Sequence, residues 1–210
     1  GAFAAIEEKG FRFKRVAGTS AGSLISALIT AGYSSKEMLQ LVDELDLKRF
    51  LDSRSSLIPT ALAKWLFLYF KLGLYRGKHF EAWVAEKLAA QGLRTYGDIL
   101  PRTLRVIASD LTNGKMIVLP DELPKYGMNP QTFSIAKAIR MSCSLPFFFE
   151  PVKITDHRGT NILVDGGVLS NFPMWLFDAE NVKKLRPVLG VKLSHNPVEH
   201  PRNEIKNAIN

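Results

Sequence analysis

A glycine-flanked serine turn between a strand-like and a helix-like segment is the feature that most constrains the fold of this chain. Phe11 and Phe13 alternate with Arg12 and Lys14, as in a half-exposed strand that runs on to Ala17, and residues 18–22 then read GTSAG. Apolar side chains recur at helical spacing from there to Gly32, which ends the pattern. A serine in a G-x-S-x-G sequence between a strand and a helix occupies a tight turn that projects its hydroxyl from a sheet. We therefore predict an α/β fold in which Ser20 follows a strand.

The residues of this turn have separate predicted roles. Gly18 and Gly22 are expected to permit the tight backbone turn around Thr19 and Ser20. The helix that begins at Ala21 points unpaired N–H groups and the positive end of its dipole toward the serine hydroxyl. Ser20 is therefore a candidate nucleophile, and the Ala21 N–H is a candidate donor to an oxyanion. A turn with a purely structural role is the alternative.

Helical and strand patterns interleave along the rest of the chain. We expect helices over residues 1–9, 34–45, 78–91 and 133–142, and strands over residues 104–109, 116–119, 151–155, 161–164 and 187–193. Ser34 with Glu37 matches a helix capping box, and Asn113 with Gly114 matches a hairpin turn. The apolar face of the helix after Ser20 is expected to consist of Leu24, Ile25, Leu28 and Ile29. The alternation predicts three layers, α/β/α, around a mainly parallel sheet.

Length and composition favour one globular domain. The chain has 210 residues, of which 46% are hydrophobic and 23% are charged, enough for one well-buried core. Its single cysteine, Cys143, excludes an internal disulfide, favours a reducing compartment and is expected to be a buried thiol. The sequence shows neither a secretory leader nor an uninterrupted membrane span, so we expect a cytoplasmic protein.

The charge balance favours anionic partners. Lysine and arginine number 28 against 20 aspartate and glutamate, a net charge of +8. No helix-turn-helix, zinc or RNA-binding motif accompanies these charges, so we expect no nucleic-acid partner. Peripheral contact with an anionic membrane and a merely basic surface both remain open. Residues 60–75, where five aromatic side chains lie near Lys64 and Lys71, are expected to form a helix that either caps the core or contacts lipid.

A serine nucleophile needs a base, and two residues compete for this role. His195 follows the last predicted strand, whereas the other histidines lie on a helix, in a polar turn and in a polar tail. Asp165 ends the apolar run 162–164 and precedes Gly166 and Gly167. A carboxylate at the end of a buried strand is costly unless it is partnered, and glycines allow close approach of a second loop. An aspartate that only caps its own turn is the alternative.

The combination of GTSAG with Asp165-Gly166-Gly167 resembles the patatin-like phospholipases, in which the two motifs supply a Ser–Asp dyad. Further segments resemble the family in the same order along nearly the whole chain: Arg15–Ala17, Ile107–Lys115, Ala138–Pro146 with its A-x-x-x-S-x-x-x-P pattern, and Asn171–Pro173. Members carry a glycine-rich oxyanion loop upstream of the serine turn. This chain starts at Gly1, inside the helix that would follow that loop, so we expect residues 1–210 to be one domain that lacks the first strand.

The resemblance implies a serine lipid acyl hydrolase that works through an acyl-enzyme, without a metal or other cofactor. Ser20 would be the nucleophile and Asp165 the base, with phospholipid or lysophospholipid as the substrate class. Two alternatives remain open. One is an esterase with a Ser20–Asp165–His195 triad, whose chain order is compatible with α/β-hydrolases. The other is a catalytically silent module of the same fold that binds lipid or protein.

Overall fold

Helices and strands alternate along the chain, which confirms the α/β class. The computed structural model describes residues 1–43, 73–170, 172–177 and 187–192. The helices are α1 (Ala2–Glu8), α2 (Ala21–Ala31), α3 (Ser35–Asp43), α4 (Lys78–Ala90) and α5 (Ile135–Ser142). The strands are β1 (Val16–Thr19), β2 (Gly73–Tyr75), β3 (Leu104–Asp110), β4 (Lys115–Leu119), β5 (Phe147–Phe149), β6 (Val152–Asp156) and β7 (Gly159–Asp165).

Five of these strands form a sheet built around β3. β4 pairs along one edge of β3, and it overlaps the stretches of β3 that β1 and β7 also use. β1 and β7 must therefore share the opposite edge, where β1 pairs with Leu104–Ile107 and β7 pairs with Ala108–Asp110. The two strands run toward each other along that edge. Their last residues, Thr19 and Asp165, lie beside consecutive residues of β3.

The strand directions correct the expectation of a mainly parallel sheet. β1 and β3 are parallel, whereas β3–β4, β3–β7 and β6–β7 are antiparallel. Two of the antiparallel pairs are hairpins, because the connections after Asp110 and Asp156 are too short for a crossover. The Asn113-Gly114 turn predicted for the first of them is confirmed, with Gly114 at a φ of +62°. Outside this sheet, β2 and β5 form a separate parallel pair.

The main core lies between the sheet and the helices α2, α4 and α5, which contact one another. β3 contributes Leu104, Val106 and Ala108, and α5 contributes Ile135 and Ile139, all of them buried. Burying one such aliphatic side chain stabilises the fold by about 1.5–3 kcal/mol. These helices thus fix the position of β3, the strand against which both β1 and β7 end.

Local signals predicted the helix ends well. Ser34 and Glu37 cap α3 reciprocally, since the Ser34 N–H donates to Glu37 Oε2 at 2.8 Å and the Glu37 N–H donates to Ser34 Oγ at 3.3 Å. α2 ends at Gly32, in the left-handed region with a φ of +94°, and α4 ends just before Gly92, with a φ of +75°.

The buried face of α2 differs from the expected one. Ile25 is 39% exposed, whereas the small residues Ser23, Ser26 and Ala27 are buried together with Leu28. Small side chains let the helix lie close to β1 and β3, which an apolar pattern alone does not indicate.

One predicted strand is shorter than expected, and another is not a strand in the part of it that the structure describes. β1 begins only at Val16, and Phe11 and Phe13 are 64% and 39% exposed. Residues 187–192 form no strand, and Leu189 and Val191 are 61% and 62% exposed. Among the described residues, neither segment has a neighbouring strand with which to complete a ladder. Of the helix expected over residues 60–75, residues 60–72 lie outside the described residues, and residues 73–75 form β2 instead.

Candidate active site

Ser20 occupies a sharp turn between β1 and α2. Its φ of +52° and ψ of −128° lie in a region that residues with a side chain rarely adopt, and such strain concentrates at functional sites. A Cβ on Gly18 would lie 2.2 Å from the Gly22 carbonyl oxygen, so only glycine fits at position 18. Gly22 is different, because a Cβ there meets nothing within 4 Å. The turn therefore needs Gly18 for its close packing, and the expected steric need for Gly22 was wrong.

Asp165 meets this turn from the opposite direction. Ser20 Oγ donates to Asp165 Oδ2 at 2.5 Å, although the two residues lie 145 positions apart. Asp165 is 3% exposed, whereas Ser20 is half-buried. The second carboxylate oxygen of Asp165, Oδ1, accepts the Gly167 N–H at 2.7 Å and so caps the short 3₁₀ turn that follows β7. The carboxylate thus caps its own turn with one oxygen and contacts the serine hydroxyl with the other.

Gly166 allows the two strand ends to approach. A Cβ on Gly166 would lie 2.4 Å from the Ile107 carbonyl oxygen and 2.8 Å from Thr19 Cγ2. Any larger residue would push the end of β7 away from β1 and β3. The register of β1 and β7 on β3, together with this glycine, places Ser20 and Asp165 in contact.

The backbone of Ser20 is held by two buried serines that sequence reasoning did not assign to the site. Ser142 Oγ accepts the Ser20 N–H at 2.9 Å and donates to the Ile107 carbonyl at 2.6 Å. Ser23 Oγ donates to the Ser20 carbonyl at 2.6 Å. Ser142 is the serine of the A-x-x-x-S-x-x-x-P segment. That pattern was the available signal, but sequence cannot show which amide the hydroxyl would reach.

Arg140 supports the Asp165 side of the site from within the core. Its guanidinium is buried and donates to Ser144 Oγ, to the Arg76 carbonyl at 2.6 Å and to the Glu150 carbonyl at 2.7 Å. The Ser144 carbonyl in turn accepts the Asp165 N–H at 2.9 Å. A buried cation needs several such acceptors, and here they tie three segments of chain to the end of β7.

Cys143 lies next to these residues. Its side chain is partly buried, and its Sγ lies 3.8 Å from Ser23 Oγ. Burial raises the pKa of the Cys143 thiol to about 12, so the nucleophilic thiolate is scarce at neutral pH. We therefore assign Cys143 to packing rather than to nucleophilic catalysis.

The structure describes other predicted features only in part. Ala21 is the first residue of α2 and is exposed, so its N–H belongs to the first turn, which has no acceptor within the helix. Among the described residues, no group of three or more His, Cys, Asp or Glu could hold a metal ion. None of the helices in the described part of the chain is long and apolar enough to cross a membrane. His195, Lys64, Lys71 and Asn171 lie outside the described residues.

Comparison with known proteins gives one consistent family. A sequence model described as Patatin-like phospholipase matches residues 1–178. The chain is 54% identical over 209 residues to the uncharacterized protein YqhO of Bacillus subtilis (strain 168), a match that covers 100% of this chain and 71% of that protein.

Two more distant relatives match over a smaller part of their own length. The chain is 31% identical over 169 residues to the cUMP-AMP-activated phospholipase of Escherichia coli, covering 77% of this chain and 46% of that protein. It is 26% identical over 169 residues to the uncharacterized protein R571 of Acanthamoeba polyphaga mimivirus, covering 79% of this chain and 50% of that protein. The matched region thus spans about half the length of these two relatives.

Proposed function

Because this chain belongs to the patatin-like phospholipase family, we propose that it hydrolyses carboxylic esters of lipids through a Ser20–Asp165 dyad. The family supports a lipid hydrolase function. The observation that carries the finer proposal is the 2.5 Å contact between Ser20 Oγ and Asp165 Oδ2 at the meeting point of two strand ends. A serine hydroxyl becomes a useful nucleophile when an adjacent base accepts its proton.

In the first half of the proposed reaction, Ser20 Oγ attacks the ester carbonyl carbon while its proton moves to Asp165 Oδ2. The Ala21 N–H donates to the oxyanion of the tetrahedral intermediate, where each such donor contributes about 2.7–4 kcal/mol in comparable sites. The intermediate collapses when the C–O bond to the lipid alcohol breaks and Asp165 returns the proton to that alcohol. An acyl-enzyme on Ser20 remains.

In the second half, water attacks the acyl carbon and gives a proton to Asp165 Oδ2. The fatty acid leaves as the bond between the acyl carbon and Ser20 Oγ breaks, and Asp165 returns the proton to Ser20 Oγ. Throughout, the Gly167 N–H bonded to Oδ1 keeps the carboxylate aimed at the serine. The same carboxylate thus acts as base and acid in both halves.

Direct contact between serine and carboxylate favours a dyad over a triad. In a Ser–His–Asp triad, an imidazole lies between the two groups, and a separation of 2.5 Å leaves no space for it. We therefore expect a His195→Ala variant of the full-length protein to retain most of its ester hydrolysis. A loss of more than a hundredfold would favour the triad instead.

Phospholipid or lysophospholipid is the proposed substrate class, and the protein is proposed to reach it by peripheral contact with the membrane. Family membership supports the substrate class, and the net charge of +8 supports attraction to anionic lipid surfaces. The test is release of fatty acid from phosphatidylcholine and lysophosphatidylcholine by the full-length protein, with Ser20→Ala as control. We expect release by the wild type, little by the control, and no effect of a metal chelator. Equal release by the two proteins would overturn the proposal.

A further inference from the structure

Two segments that border Asp165 carry no ionisable side chain. They are residues 144–149 and residues 166–177, in a chain of which 23% is charged. Surface loops are normally rich in charged residues, because water stabilises charged side chains. Eighteen uncharged residues beside one buried carboxylate therefore suggest an environment other than water.

Large apolar side chains project from both segments into solvent. We call the following set the apolar rim: Leu145 (54% exposed), Phe147 (64%), Val168 (46%), Leu169 (47%), Phe172 (37%) and Trp175 (43%). Exposed apolar residues scattered singly need no explanation, but a contiguous group marks an interaction surface.

Hydrogen bonds place part of the apolar rim, namely Leu145, Val168 and Leu169, close to the candidate site. The Asp165 N–H donates to the Ser144 carbonyl, so the first segment runs beside the carboxylate. The N–H groups of Leu169 and Ser170 donate to the Gly166 carbonyl at 3.1 and 2.9 Å. This turn keeps Val168 and Leu169 within one turn of Asp165.

The conformation of Phe147 indicates that its exposure is imposed by the backbone. Its φ of +66° lies in the left-handed region, which aromatic residues rarely adopt. The rings of the next two residues contact other aromatic rings, Phe148 with Tyr75 at a centroid distance of 5.0 Å and Phe149 with Phe80 at 6.2 Å. The rings of Phe148 and Phe149 thus have aromatic neighbours, whereas Phe147 is the most exposed of the three, at 64%, and lies at a strained residue, a feature that accompanies function.

From these observations we infer that the apolar rim inserts into the surface of a lipid layer and so presents Ser20 to its substrate; this inference rests on the proposed function. A lipid layer fits better than a protein partner, because a protein on the rim would cover the serine that a substrate must reach. Phenylalanine, tryptophan and leucine are the side chains that insert at the boundary of headgroup and acyl chain. The net charge of +8 adds attraction to anionic headgroups.

The test measures partitioning of the full-length protein onto phosphatidylcholine vesicles that contain phosphatidylglycerol. It is done in a Ser20→Ala background so that no lipid is consumed. The rim variants are Phe147→Asn, since asparagine tolerates a positive φ, and Leu145→Ser. The controls are Leu39→Ser and Leu100→Ser, which remove apolar side chains that are 63% and 80% exposed on α3 and before β3. Thermal unfolding of each variant verifies that it is folded.

Each rim variant should weaken partitioning about tenfold, whereas the controls should not change it. The rim's share of the binding should persist in high salt, because salt screens the attraction between charges but not apolar insertion. When the same rim substitutions are made in the protein that retains Ser20, they should abolish hydrolysis of vesicle lipids and leave hydrolysis of a monomeric short-chain ester intact. Wild-type partitioning of the rim variants would overturn the inference, as would an equal loss in the controls.

The outcomes separate this inference from the proposed function. If the protein cleaves the soluble ester but the rim variants bind vesicles normally, only the inference fails. If it cleaves no ester but the rim variants lose vesicle binding, only the proposed function fails. A self-association that the rim variants abolish, with vesicle binding unchanged, would assign the rim to a second copy of the chain and overturn the inference.

Discussion

Asp110 and Asp165 are alike in sequence context but differ in what their carboxylates contact. Each ends a strand of the same sheet, and each is buried. Asp110 Oδ1 accepts the Asn113 N–H at 3.0 Å, and its Oδ2 accepts Asn113 Nδ2 and the Tyr126 hydroxyl, both at 2.6 Å. Of the two Asp165 oxygens, one accepts the Gly167 N–H and the other accepts the hydroxyl of Ser20, whose backbone is strained.

The contacts assign Asp110 to structure. Burial on its own raises the pKa of Asp110, but hydrogen bonds from Tyr126 and Asn113 outweigh it and lower the pKa below the usual range. The pKa of Tyr126 is raised, first by burial and then by its bond to Asp110. The carboxylate therefore stays ionised and the phenol stays protonated, as a fixed pair. A buried aspartate becomes a candidate for chemistry when one of its partners is itself a reactive group.

The largest expected effect comes from exchanging each carboxylate for an amide. Asp165→Asn should lower ester hydrolysis by about 10²–10⁴-fold, because the base for Ser20 is lost, and should change the unfolding temperature little. Asp110→Asn should keep most of the hydrolysis and lower the free energy of unfolding by about 1–3 kcal/mol, because its hydrogen bonds are disrupted. A large loss of hydrolysis in Asp110→Asn, with hydrolysis retained in Asp165→Asn, would contradict the roles given to the two carboxylates.

Two glycine variants test the turn that brings Ser20 to Asp165. The Cβ of Gly18→Ala would lie 2.2 Å from a backbone oxygen, so we expect a loss of about 3 kcal/mol or more in the free energy of unfolding, measured with denaturant. Gly22→Ala has free space on a helix and should be neutral or stabilising by up to about 1 kcal/mol. Equal effects of the two substitutions would show that the turn is not packed as described.

Removing the Ser142 hydroxyl tests whether the hydrogen bond to the Ser20 N–H matters for hydrolysis. Ser142→Ala leaves the Ser20 N–H without its acceptor, so we expect about a tenfold lower kcat with KM little changed, and a loss of about 1–3 kcal/mol in stability. Ser26→Ala, at a buried serine of α2 rather than of α5, serves as the control and should not change kcat. A loss of stability with unchanged kcat would limit Ser142 to a structural role.

The smallest expected effect lies on the Asp110 side. Tyr126→Phe removes one donor to Asp110, which raises the pKa of that carboxyl toward its usual value and lowers stability by about 1 kcal/mol at neutral pH. The lowered pKa of Asp110 stabilises the fold above the unfolded pKa, and this share is lost as pH falls through the folded pKa. The difference in free energy of unfolding between the wild type and Tyr126→Phe should thus narrow below about pH 4. Hydrolysis that fell as far as in Asp165→Asn would contradict the structural role.

Features set by a few neighbouring residues could be predicted from the sequence. The capping box of Ser34 and Glu37 and the Asn113-Gly114 turn depend only on adjacent chain, and both are confirmed. The α/β class followed from the order of helices and strands, each of which has its own periodicity. Strand direction did not follow, because alternation of side chains is the same for a parallel and an antiparallel strand.

Features that depend on distant residues could not be predicted in this way. The sequence pointed to Ser20 and Asp165 through two local motifs. It could not show that β1 and β7 share one edge of β3, or that Ser142 would accept the Ser20 N–H. The strand expected from Phe11 onward failed for the same reason, since pairing depends on whether a neighbour is present.

Labelling with a fluorophosphonate, followed by mass spectrometry of the full-length protein, tests the Ser20–Asp165 pair most directly. The reagent forms a covalent bond only with an activated hydroxyl, so it reports nucleophilicity without a lipid substrate. We expect the label on Ser20, a rate at least about a hundredfold lower in Asp165→Asn, and a nearly unchanged rate in His195→Ala and Asp110→Asn. A label on another residue, or equal rates in the wild type and Asp165→Asn, would contradict the account.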